Sequence, residues 1–403
     1  MKLFWSLLLI AASLAAAEKK VIFPPGAKPV GPYTPGIMAG EYLFVSGQGA
    51  RAADGKIPAE FEDQVKQCLE NIRTIVEAAG LTMDHIVYTQ VYLKEISNYD
   101  RMNPVLEKYF SKNPPARATL GVYDMPVGTP VEISAIAVRD LSRKKPIVPA
   151  GYQRVGPLVP GVQVGDVLFI SGFLGRDPAN GGIPDDPGKQ VQLALDRFHT
   201  VLDAAGMDYR NVVFVNPYLT EKIPMELMNR IYAKHFEFGN TPARATIRVH
   251  SLPHGANMEF TGVAVKDLSK RVAVRPKNMA PSPTASPCVF AGDLFFCSAK
   301  SGFIPGMNGG IYAETVENQV RQTMRNLLDG LEEADLDFSH VVASNVYLDN
   351  MAEFAKMNAV YGKYFKDAPP TRTTVAPLPP VERKQSESGH WPKLEEISVI
   401  AVR

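Results

Sequence analysis

The sequence predicts an α+β sandwich built three times in tandem. Two observations carry this: a phrase that returns at fixed spacing, and strand and helix signals that alternate inside each copy. Pro115-Ala116-Arg117-Ala118-Thr119 returns as Pro242-Ala243-Arg244-Ala245-Thr246 and, worn down, as Pro370-Thr371-Arg372-Thr373-Thr374. The arginines are 127 and 128 positions apart. That period exceeds the roughly 20 to 50 residues of a solenoid unit and matches a whole small domain. The same phase holds at Met102-Asn103, Met228-Asn229 and Met357-Asn358. It holds again at Phe44-Val45-Ser46-Gly47, Phe169-Ile170-Ser171-Gly172 and Phe296-Cys297-Ser298-Ala299. Basic joints at 141–146 and 268–271 divide the chain into 1–17, 18–145, 146–270 and 271–403. These joints are short, which keeps the domains close together.

Each element of the first repeat has its own signal. Tyr42 to Gln48 reads as a strand followed by Gly and Asp turn residues. Asp63 to Ala79 reads as a helix, because Val65, Leu69, Ile72, Val76 and Ala79 recur at spacings of three and four and Gly80 follows. The second repeat keeps that stripe as Val191, Leu195, Phe198, Leu202 and Ala205. Val87 to Leu93 is a second strand, and Tyr99 to Phe110 a second helix stopped by Pro114-Pro115. Arg117 to Tyr123 and Val131 to Val138 read as an antiparallel pair across a Pro/Gly loop. The order β-α-β-α-β-β, with room for a further N-terminal hairpin strand, implies two helices over one face of a mixed sheet.

Composition is that of a globular protein, 45% apolar and 21% charged, and the net charge of +1 gives no global field for nucleic acid or anionic membrane. Residues 1–17 read as a secretory signal peptide: a positive start, an apolar run from Leu3 to Leu14, and small residues Ala15-Ala16-Ala17. The expectation is an exported protein, periplasmic or secreted, beginning at Glu18. The run is too short to span a bilayer as a helix. Three cysteines do not recur from repeat to repeat. Cys68 lies beside a helical apolar stripe and reads as a small core residue; a Cys288–Cys297 bridge is conceivable, with no spacing pattern behind it.

The recurring arginine is the best functional lead. Its guanidinium grips a planar carboxylate with two parallel hydrogen bonds. A glutamate follows 15 residues later in two repeats, Arg117 to Glu132 and Arg244 to Glu259. It follows after 24 in the third, Arg372 to Glu396, across an insertion between Val381 and Pro392. Pairing across the expected hairpin puts Glu132 opposite Gly121, on the face of Arg117 and Thr119, roughly 13 Å along the strand. A small ligand fits that gap, with the glutamate passing protons. A rim ion pair or a docking arginine fits the spacing equally, and both stay open. His250 and His254 flank a Pro/Gly loop and lack the helical context of a metal site. No phosphate loop or nucleophile elbow is visible.

Taken together, Gly31-Pro32-Tyr33, Phe44-Val45-Ser46-Gly47-Gln48, the stretch from Asn71 to Leu81, Pro115-Ala116-Arg117-Ala118-Thr119 and the phrase from Val131 to Val138 resemble the RidA/YjgF (L-PSP, reactive intermediate deaminase) family. The resemblance implies chorismate-mutase-like α+β domains and, with three fused copies, a single-chain pseudo-trimer, monomeric as a chain, with clefts between repeats. It implies cofactor-free hydrolysis of small carboxylate-bearing imines or enamines to 2-keto acids and ammonia. Arg117, Arg244 and Arg372 would grip the substrate carboxylate; Glu132, Glu259 and Glu396 would position water. Tyr33, Ser46, Gly47, Ser171 and Gly172, the asparagines Asn103, Asn229 and Asn358, and the threonines Thr119, Thr246 and Thr374 would complete the binding sites. Tyr33 becomes Leu158 and then Ala285 in the later repeats, and Ser46-Gly47 decays to Ser298-Ala299. A non-catalytic carboxylate-binding protein and an endoribonuclease or translation inhibitor are the alternative readings, the latter weakened by the lack of a basic stripe.

Overall fold

The computed structural model describes residues 18–306 and 309–403, so the expected signal peptide lies outside the described residues. The first repeat runs β1 (Lys20–Ile22), β2 (Gly36–Ala39), β3 (Tyr42–Gly49), α1 (Phe61–Ala78), β4 (Ile86–Leu93), α2 (Tyr99–Phe110), β5 (Ala116–Gly121) and β6 (Val131–Val138). The second runs β7 (Lys144–Ile147), β8 (Gly161–Val164), β9 (Val167–Leu174), α3 (Pro187–Ala204), β10 (Val212–Leu219), α4 (Met225–Tyr232), β11 (Ala243–Arg244), β12 (Ile247–Arg248) and β13 (Met258–Val265). The third runs β14 (Arg271–Val274), β15 (Cys288–Ala291), β16 (Leu294–Lys300), α5 (Val316–Glu332), β17 (Val341–Leu348), α6 (Phe354–Tyr361), β18 (Thr371–Val375) and β19 (Glu395–Val402). Each repeat is a mixed sheet covered by two helices, as its sequence pattern predicts. β7 begins at Lys144, so the second sheet starts inside the basic joint.

One expectation is overturned. β5 and β6 do not form a hairpin; the first sheet has the order β1-β2-β3-β6-β4-β5. β4 sits between them, parallel to β5 and antiparallel to β6. The reason is the connection: β4 and β5 are joined through α2, and a strand–helix–strand crossover lays its two strands parallel and side by side, so β5 becomes the edge strand outside β4. Arg117 pairs with Thr89 and Glu132 with Tyr92, so the shared-face argument for those two residues fails. They belong to different clefts.

The helix stripes fill three separate cores. Val65, Leu69, Ile72 and Val76 pack over Val91 and Ile133 in the first repeat, and Val191, Leu195 and Phe198 do the same in the second. The opposite faces of the three sheets meet in shared cores. Ile37, Phe44 and Val87 join Val162, Phe169 and Val213, together with Val289, Phe296 and Val342. Tyr92, Tyr218 and Tyr347, one from each repeat, share a further buried cluster. The inward strands read as near-continuous apolar runs because both of their faces are buried. Cys68 is buried in the first core, and Cys288–Cys297 is a disulfide between the paired strands β15 and β16.

A cationic residue at the start of each sheet ties it to the preceding repeat. Lys144 donates to the carbonyls of Asp84, Ile86 and Asn113, and Arg271 to those of Val212 and Asn240. Lys19 donates to Val341 and Ala368 of the third repeat, so the last copy closes onto the first. The chain is a closed ring of three.

Candidate active site in the clefts between repeats

The seams repeat one pattern. The backbone N–H of Arg117 donates to Ser171 Oγ at 2.9 Å, that of Arg244 to Ser298 Oγ at 2.8 Å, and that of Arg372 to Ser46 Oγ at 2.9 Å. Each serine hydroxyl in turn donates a hydrogen bond to a carbonyl of its own repeat, Val159, Ser286 and Thr34 respectively. These serines therefore hold the arginine strand of one repeat against the next. Proximity follows the same cycle. Arg117 acts on Glu259 and Arg372 on Glu132, while Glu396 is the carboxylate that acts on Arg244. Each arginine faces the glutamate of the following repeat across a seam.

The three clefts have diverged. Between repeats one and two lies a cavity of about 320 Å³ lined by Arg117, Thr119, Ser171, Gly172 and Glu259, with Leu158 where the first repeat has Tyr33. Arg117 Nη2 is held by Asn103 Oδ1 at 2.8 Å and the Tyr99 hydroxyl at 3.1 Å. Among the described residues, Arg117 Nη1, Thr119 Oγ1 and Glu259 Oε1 are buried without a hydrogen-bond partner. Burial pushes the Glu259 carboxyl up to about 8, against the opposing pull of Arg117. Gly172 is required here, since a Cβ at this position would lie 2.1 Å from Glu259 Oε1.

The cleft between repeats two and three has a cavity of about 300 Å³ lined by Arg244, Thr246, Ala285, Ser298, Lys300 and Glu396. Arg244 Nη1 donates to Asn229 Oδ1 at 2.8 Å. Ala299 stands where the other copies carry the glycine, and its methyl occupies space that the other glutamates use. Glu396 is instead paired with Lys393 at 2.5 Å. In the third cleft Arg372 is buried beneath Tyr33, Phe354 and Tyr361, whose ring centres lie 5.3, 5.4 and 5.0 Å from its guanidinium carbon. The turn at Gly31 closes on it: a Cβ there would lie 2.7 Å from Arg372 Nη2 and within 3.2 Å of Asn358. On the repeat-one side of this seam, a Cβ at Gly47 would collide with Glu132 Oε1 of the neighbouring strand. Burial raises Glu132 to about 8 as well. Arg372 Nη1 and Nη2, Asn358 Oδ1 and Thr374 Oγ1 are buried and unpartnered among the described residues, beneath the covering rings.

Sequence reading did not single out Tyr152, Arg176, Arg197 or His254 as parts of the first cavity, yet all four line it. A comparison between repeats carries part of that signal. Arg197 stands where the first and third repeats have Asn71 and Asn326, inside otherwise matching helices.

The fold and its seams define a single-chain ring of three α+β domains with arginine–glutamate clefts between them. The sequence profile of the Endoribonuclease L-PSP family matches residues 25–139, 151–266 and 277–380, and the chain belongs to that family. A RutC family protein of Saccharolobus solfataricus is 42% identical over 124 residues, 30% of this chain and 97% of that protein. The 2-iminobutanoate/2-iminopropanoate deaminase of Escherichia coli is 37% identical over 114 residues, 27% of this chain and 89% of that protein. Among solved structures, the YjgF gene product of Escherichia coli is 36% identical, covering 30% of this chain and 99% of its own, with a TM-score of 0.29.

Proposed function

We propose that the chain is a cofactor-free hydrolase that converts small 2-imino acids to 2-keto acids and ammonia in the cleft between repeats one and two. The observation that carries this reading is a cavity of about 320 Å³ lined by three residues with buried unpartnered atoms, Arg117 Nη1, Thr119 Oγ1 and Glu259 Oε1, whereas aromatic rings cover the like set around Arg372. Buried polar groups are almost always satisfied, so this group calls for a polar ligand. Arg117, already fixed by Asn103 and Tyr99, presents its free side to the α-carboxylate, with Thr119 beside it. Glu259 holds a water and takes a proton from it as the water oxygen bonds to the imine carbon. The Glu259 carboxyl returns that proton to the nitrogen, giving a tetrahedral aminoalcohol whose hydroxyl proton then passes through the same carboxylate to the amine. Collapse of that intermediate forms the C=O bond, breaks C–N and releases ammonia. A carboxyl poised near neutral pH suits this exchange. The deaminase named among the relatives supports the reaction class.

The test is imine hydrolysis by the full chain, with imines generated in situ by an amino-acid oxidase. Accelerated keto-acid formation that is lost in Arg117→Ala and retained in Arg372→Ala supports this cleft. Undiminished turnover in Arg117→Ala overturns it. Ligand binding without turnover would mark a carboxylate-binding protein instead.

A further inference from the structure

Beyond Arg117, the cavity between repeats one and two carries a second cationic wall. Arg197 projects from α3, and its Nη1 donates to the Leu174 carbonyl at 3.2 Å. In the other repeats the same helix position is an asparagine serving the same strand end: Asn71 donates to Gly49 and Arg51, and Asn326 to Ser301 and Phe303. An asparagine therefore meets the structural requirement. The arginine keeps one of those bonds and adds a charge that lines the cavity. Arg176, at the end of β9, lines it too, spending only its Nε on the Gly181 carbonyl at 2.8 Å. Among the described residues, neither Arg176 nor Arg197 forms a salt bridge with a carboxylate, and neither does Arg117. Of the acids in the wall, Asp177 accepts from the Ala179 backbone N–H at 2.9 Å. Glu259 is the group on the Arg117 side. Tyr152 lines the same cavity, within electrostatic reach of both Arg197 and Arg117.

Half-buried guanidinium groups without counter-ions are costly unless a ligand supplies the charge. We infer that this cleft takes a ligand with two anionic groups: an α-carboxylate on Arg117 and a second carboxylate on Arg176 and Arg197, as in the imine of an acidic amino acid. The identification of the first group rests on the deaminase reading; the second cationic wall does not. In this cleft Leu158 replaces the tyrosine that covers Arg372 in the cleft between repeats three and one. The exchange leaves room for a longer substrate.

The experiment has a binding arm and a turnover arm on the full chain. Calorimetry compares glutarate, butyrate and inorganic phosphate with wild type and with Arg197→Asn, the substitution that restores the residue of the other repeats. Glutarate should bind roughly tenfold or more tightly than butyrate, the scale of one charged hydrogen-bonded pair, and that advantage should collapse in Arg197→Asn and in Arg176→Gln. In the second arm, imines of glutamate and of leucine are generated by oxidases and the ratio of their kcat/KM values is compared between proteins. Preference for the acidic imine, reduced about tenfold by Arg197→Asn, supports the inference. Equal binding of glutarate and butyrate, phosphate binding as tight as glutarate, or a ratio unmoved by Arg197→Asn overturns it. If no imine turns over while glutarate keeps its Arg197-dependent advantage, the deaminase reading fails and the two-anion site stands.

Discussion

Gly172 decides how closely Glu259 can approach its cleft. A methyl group at that position would meet the flexible end of the carboxylate, so the carboxylate moves and the backbone does not. Gly172→Ala should therefore leave the urea midpoint nearly unchanged while lowering imine turnover at least tenfold. The third repeat shows the outcome of that exchange, with Ala299 present and Glu396 drawn to Lys393. Glu259 also sets a pH dependence. The water-activating form is the carboxylate, and burial places its pKa at about 8. kcat/KM should rise with pH through that value, and Glu259→Gln should abolish the rising limb.

At the scale of the element, Ser171 joins two repeats through one hydroxyl. It accepts from the Arg117 backbone and donates to Val159, so it fixes β5 against the start of the next sheet. Ser171→Ala leaves a buried N–H without an acceptor, at a cost of about 1–3 kcal/mol. Urea denaturation should show that loss, and ligand affinity should fall with it because the Arg117 strand is no longer pinned. In the third repeat, the Cys288–Cys297 disulfide closes a short loop across β15 and β16. A loop of that size implies about 2–3 kcal/mol of stabilisation through the unfolded state. Reduction should lower the stability of the intact chain by that amount, measured with and without reductant.

The whole molecule is a ring in which every sheet depends on its neighbours. The shared core draws on all three repeats, so an isolated repeat would expose a large apolar face. A chain cut by an inserted protease site at the 268–271 joint should elute at the size of the intact protein, its fragments separating only under denaturing conditions. Buried carboxyls give the ring a pH-dependent stability. Glu132, Glu259 and Glu395 have folded pKa values of about 8, above the ordinary 4.5. Between those values the folded state binds more protons than the unfolded state, so their contribution is full below about 4.5 and is lost as pH rises through 8. The stability difference between wild type and Glu132→Gln should shift against the wild type across that interval, as read from urea midpoints at pH 5.5 and 8. Lys19 and Lys144, lowered by burial to about 8, act with the opposite sign above it.

The sequence alone determined the repeat and, to within two residues, the helices and the four strands read in the first copy, because periodicity and turn residues are local properties of the chain. Tyr99–Phe110 and Val131–Val138 are read to the residue. It also picked out the arginine of each copy, which recurs in phase, and the glutamate, which keeps its phase in the first two copies and is displaced by an insertion in the third. Which arginine meets which glutamate was decided only by tertiary structure. Strand order is a nonlocal packing choice, and the insertion of β4 between β5 and β6 separates Arg117 from Glu132 and sends each to a different neighbour. The divergence of the clefts was equally hidden. Covering of Arg372 by Tyr33, diversion of Glu396 by Lys393, and entry of Arg176 and Arg197 into the first cavity all depend on side chains meeting across seams, where sequence distance carries no information.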